Sequence, residues 1–174
     1  HTLSAPTSGD RPQFDTTGLA APGNPIPGTK ITDGSTGSCF FDNDVLEASD
    51  HNDFSFGDGS TDTPFSVSSW FAIDSTALNA STNNTIVSKR GSTTLLHATN
   101  EYYIQAVYTD TSDRTMIRVG LIDTTTAIIT ADFHTGNGSR IWKPEEWVHI
   151  VVTYNGDKGS HDQPSTSGIK LYVN

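Results

Sequence analysis

The sequence predicts an antiparallel all-β sandwich, and three observations predict it. Composition is the first: of 174 residues, 25 are Thr and 19 are Ser, and 16 of the 20 acidic residues are Asp rather than Glu. Thr is a strand former, Asp and Ser favour turns and caps, and Glu, which suits helix interiors, is scarce. Second, apolar and polar residues alternate in short runs bounded by clusters of Gly, Asn, Asp and Ser. Third, no window sustains the 3.6-residue period of an amphipathic helix.

The elements follow in chain order. Residues 1–37 hold five of the eight prolines (Pro6, Pro12, Pro22, Pro25 and Pro27) and almost no alternation. The run Ala21-Pro22-Gly23-Asn24-Pro25-Ile26-Pro27-Gly28 reads as extended chain or turns. It makes 1–37 an extended Pro/Gly-rich arm or linker, with a tail lacking fixed structure as the alternative. From residue 38 the chain reads as strands. Phe65 to Ile73 places Phe65, Val67, Phe71 and Ile73 on one face and Trp70 on the other. Short strands follow at Thr85–Ser88, Tyr102–Tyr108, Met116–Ile122 and Ala127–Thr130. Trp147–Tyr154 is the clearest, with Val148, Ile150, Val152 and Tyr154 opposing Trp147, His149, Val151 and Thr153. Ile169–Val173 begins one more, after a long polar loop (155–168) of a kind that often carries function.

Length suits one domain behind an arm. A net charge of −10 argues against nucleic acid and anionic membrane as partners. No apolar run approaches the roughly 20 residues that span a bilayer, which argues against membrane insertion. The single cysteine, Cys39 in Ser38-Cys39-Phe40-Phe41, excludes an internal disulfide and reads as a small buried hydrophobe. His1 is not an ordinary start, so the chain is expected to be processed or to belong to a longer polypeptide.

Several motifs then carry a resemblance. Phe41-Asp42, Leu46-Glu47-Ala48-Ser49-Asp50 and Asp53-Phe54-Ser55-Phe56-Gly57 resemble the opening of a laminin-G-like (concanavalin A-like lectin/glucanase) jelly roll. Pro64–Phe71 and Ile86-Val87-Ser88-Lys89 are similar to the strands that follow there, and Glu146–Gly156 and Gly168–Asn174 are the closest matches. The resemblance covers 38–174 and implies a jelly-roll domain. In that family further strands would follow Leu171-Tyr172-Val173-Asn174, so the domain is expected to be C-terminally incomplete in this chain. The Asp53–Gly59 run leading into Pro64–Ser68 is also similar to such domains in bacteriophage virion surface proteins. This implies a virion or extracellular location, and an arm that holds assembly subunits, a homo-oligomer among them.

The chemistry is sparse. Glucanases of this fold use carboxylates spaced along one strand, and the four glutamates, Glu47, Glu101, Glu145 and Glu146, form no such pattern. The six histidines lack metal-ligand spacing, and no phosphate loop or nucleophile elbow is present. Catalysis is therefore not expected. Calcium is the cofactor suggested, through Asp42, Asp44, Asp50, Asp53 and Asp58, the alternative being aspartates that cap their own turns. Glycan contact needs exposed aromatic platforms. Trp142 before Lys143-Pro144 is the first candidate and Tyr103 and Tyr108 are next, with Trp70 and Trp147 assigned to the core. The expected function is a non-catalytic surface structural and adhesion module, a phage fibre or capsid decoration. The alternative is a lectin-type module of a larger cellular extracellular protein.

Overall fold

A computed structural model describes residues 3–4, 13–15, 38–40, 45–57, 61–75, 83–90, 101–109, 113–123, 127–135, 140–157 and 168–174. Eleven strands are described: β1 (Leu3–Ser4), β2 (Gln13–Asp15), β3 (Ser38–Phe40), β4 (Glu47–Ala48), β5 (Phe65–Phe71), β6 (Asn83–Lys89), β7 (Tyr102–Thr109), β8 (Arg114–Asp123), β9 (Ala127–Phe133), β10 (Val148–Tyr154) and β11 (Ile169–Val173). The one helical element among these residues is a 3-10 turn, Asn52–Phe54.

Two antiparallel sheets make the sandwich. One has the order β11-β10-β5 and the other is the meander β6-β7-β8-β9. The period-two alternation of β10 is realised without a break: Val148, Ile150, Val152 and Tyr154 are all buried. They face Phe71, Ser69, Val67 and Phe65 of β5 in register, so Ser69 shares the inward row with the apolar residues. From the meander come Ile104, Ala106, Ile117, Val119, Leu121 and Ala131. Burying β-branched side chains from both sheets against one another is the main stabilising term of such a fold. A β-bulge between Thr85 and Val87 lets the consecutive residues Ile86 and Val87 both pack against this core. On β11 the inward row opens progressively, from Ile169 at 4% exposed to Val173 at 40%.

Each end of the sandwich has its own closure. At one end Phe56 stacks on Phe65 with centroids 3.8 Å apart, and Tyr102 and Tyr154 extend the aromatic cluster. The Tyr154 hydroxyl donates to Asp62 Oδ2 at 2.8 Å. Gly156 turns the chain there with φ +80°, and a Cβ would meet the Asp62 carbonyl at 2.9 Å. At the other end Trp142 is inserted between the sheets. Its Nε1 donates to the Met116 carbonyl at 3.2 Å and its ring meets Phe71 edge-on. The following turn runs through Pro144 and Glu145, and Glu145 takes φ 66° although it is not a glycine. Glu145 N–H bonds the Ile73 carbonyl and its carboxylate accepts from Ser75 N–H at 2.7 Å, contacts that hold this conformation.

Of residues 1–37, the described segments β1 and β2 pair antiparallel with β4 and β3. The rest of the expected arm, the Cys39 side chain and loop residues 158–167 lie outside the described residues.

Candidate functional site

The outward faces of the two sheets differ. On the meander, Tyr103, Gln105, Val107, Met116 and Ile122 point away from the shared interior, yet all are under a tenth exposed. Two polar pairs on this side are matched across strands. Gln105 Nε2 donates to Thr85 Oγ1, and Arg118 grips Asp132 through two bonds of 2.7 and 2.9 Å. That carboxylate holds the Arg118 guanidinium above its ordinary range.

The outward face of β11-β10-β5 is exposed at Ser66, Ser68, Lys170 and Tyr172 and half-buried at Trp70, His149, Val151 and Thr153. Register builds it in rows: Ser66, Thr153 and Lys170; then Ser68, Val151 and Tyr172; then Trp70 beside His149. The Trp70 and His149 rings stack with centroids 4.9 Å apart and planes 24° from parallel. His149 Nε2 is 2.8 Å from Ser68 Oγ, so the imidazole is fixed on one face and at one nitrogen. Asn174 secures the strand beneath, its Oδ1 accepting from His149 N–H at 3.0 Å. Tyr172 stands beside these groups at 55% exposed, the most open large aromatic side chain of the described core strands. With strands about 4.8 Å apart, the aromatic groups cover about 10 Å of sheet. Such a surface offers flat rings to the C–H face of a sugar and hydroxyls at the margin for its polar edge.

The expected glycan platforms lie elsewhere. Trp142 is 1% exposed and is a core residue, because Thr115 and Met116 of β8 satisfy its polar groups inside the sandwich. Tyr103 is buried too. It lies across Gly120, where any side chain would run into the ring, and its hydroxyl is 3.5 Å from Thr130 Oγ1. Tyr108 is half-buried against the core with its hydroxyl donating to Asp113. Trp142 and Tyr103 are thus withdrawn from solvent, and Tyr108 is partly so. Trp70, assigned to the core, is half-buried on the outer face instead, and the alternation of Phe65–Ile73 was the signal for it. The same alternation in Ile169–Val173 points Lys170 and Tyr172 outward.

Of the expected calcium ligands, Asp42, Asp44 and Asp58 lie outside the described residues. Asp50 is 3.2 Å from Lys89 Nζ, which also meets Glu101 Oε1 at 2.6 Å and the Ser55 hydroxyl. An ammonium thus gathers these oxygens, as a bound cation otherwise would. Burial pulls the Lys89 ammonium down, and its bonds to Glu101 and Asp50 more than offset this, leaving it above the ordinary lysine value. Asp53 belongs to the 3-10 turn, where its N–H donates to His51 Nδ1. Among the described residues no group of three or more His, Cys, Asp or Glu stands together that could hold a metal ion. Comparison with family models, with curated proteins and with solved structures gives no match.

Proposed function

We propose that this chain is a non-catalytic adhesion and structural module of a virion or extracellular surface, a laminin-G-like sandwich that contacts glycans through the outer face of β11-β10-β5. The observation that carries the reading is the Trp70–His149 stack with Tyr172 exposed beside it. Leaving aromatic surface in water is unfavourable, and open aromatic patches commonly mark binding surfaces. Here the rings are pre-positioned by strand register, so little side-chain freedom is lost when a ligand docks. The serine and threonine hydroxyls around them can exchange hydrogen bonds with water for bonds with sugar hydroxyls. The residues 1–37 serve in this reading to attach the module to a neighbouring subunit.

A glycan array with the intact chain tests it. Retention of at least one sugar is expected, falling about tenfold or more in Trp70→Ala and in Tyr172→Ala while thermal unfolding stays cooperative. No retained sugar, or retention unchanged in both variants, would overturn the reading. Sizing in solution tests the assembly part: a strict monomer at high concentration counts against it.

A further inference from the structure

We infer that this face selects a saccharide bearing a carboxylate, a uronic or sialic acid, and that Lys170 is the residue that sets the selection. The inference rests on the glycan-binding reading and adds the ligand's charge to it.

The charge distribution carries it. The chain has a net charge of −10, so an anion approaches against the field of the whole molecule unless a local cation receives it. Most described cations are already engaged: Lys89 with Asp50 and Glu101, Arg118 with Asp132, Arg140 with Asp113, and Lys143 with Glu146. Lys170 differs. It is exposed and outward on β11, opposite Thr153, and has no carboxylate partner among the described residues. The ladder rows of this face contain no Asp or Glu side chain to neutralise it.

Position adds to charge. Lys170 is two residues from Tyr172 on the same side of β11, about 7 Å along the strand. A sugar ring resting on Tyr172 therefore brings a carboxylate at its rim within reach of the flexible lysine stem. Ser66 and Thr153 share the lysine's row and supply hydroxyls for the remaining carboxylate oxygen. A neutral sugar gains the same stacking but not the ion pair.

Calorimetric titration of the intact chain with two matched pairs tests this: an oligoglucuronate against its carboxyl-reduced oligoglucoside, and sialyllactose against lactose. The acidic member of at least one pair is expected to bind about tenfold more tightly, and the pair that shows it separates uronic from sialic acid. Lys170→Gln should bring the preference to within about twofold by weakening the acidic member of the pair, while Lys170→Arg should keep the preference. Equal affinity within both pairs, or a preference that survives Lys170→Gln, overturns the selection by Lys170 and leaves the glycan-binding face standing. No binding of any of the four sugars, with none retained on the array, overturns the face and the selection together.

Discussion

Replacing Thr115 by valine removes one hydroxyl and leaves two interior peptide groups without a partner. Thr115 is 0% exposed, and its Oγ1 donates to the Trp142 carbonyl at 2.7 Å while accepting from Trp142 N–H at 3.2 Å. Valine has nearly the same shape and an equal taste for strands, so neither packing nor propensity opposes the change. What changes is satisfaction. Each buried peptide group stripped of its partner costs about 1–3 kcal/mol, and no longer burying the hydroxyl returns about 1–2 kcal/mol. The net loss is roughly 3 kcal/mol, or about 6–12 °C in Tm for a domain of this size. Thr115→Ser keeps the hydroxyl and gives up one methyl, a loss of about 1 kcal/mol. Urea unfolding followed by tryptophan fluorescence and far-ultraviolet dichroism supplies both numbers, coincident transitions confirming a two-state reading. The expected order of stability is wild type, then serine, then valine. Pure apolar burial predicts valine above serine, and that result would refute the role given to the hydroxyl.

Three further outcomes can be measured in the same way. Asn84 Nδ2 is buried without a partner and the residue stands opposite Ala106, so Asn84→Val should stabilise the protein by about 1 kcal/mol in urea unfolding. Burial first, and then the bond to Asp62, push the Tyr154 phenol well above its usual range. The unfolded chain releases that proton from about pH 10 upward while the folded chain keeps it, so stability falls as pH rises through this range. Tyr154→Phe should lose about 2 kcal/mol at pH 7 and show a shallower alkaline decline. Asp113 is held below the ordinary carboxylate range chiefly by the hydrogen bond from Arg140. Its contribution is present above about pH 4 and fades as pH falls through the lowered value, so Asp113→Asn should flatten the acid limb, and high salt should shrink the difference.

The strands were legible because alternation is a local property. Val148, Ile150, Val152 and Tyr154 mark their own face without reference to any other strand, and all four are buried. The same holds for Ile117, Val119 and Leu121 on β8. Trp142 lies outside every alternating run, so periodicity is silent about it. Its burial depends on Thr115, 27 residues away, presenting a hydroxyl where the Trp142 peptide needs one. Tyr103 shows the second limit. Alternation places it opposite Ile104, but it cannot tell an open outer face from a shielded one, and Tyr103 is 6% exposed.

The proposed binding face shows a third limit, since it is made by register. Alternation sets Trp70 apart from the apolar row of β5, although Trp70 was assigned to the core, and it sets His149 apart from the apolar row of β10. That they stack depends on pairing His149 with Trp70 rather than with a residue two places along. A slip of two residues would preserve both hydrophobic faces and still dissolve the stack. The abundance of hydroxyl side chains divides in the same way. At Ser66, Ser68 and Thr153 the hydroxyl belongs to the outer face of the β11-β10-β5 sheet, whereas at Thr115 it substitutes for water inside the core. Composition counts these residues alike. Their different work follows from which strand lies opposite, so a composition in which a quarter of the residues are Thr or Ser does not reveal where the proposed contacts lie.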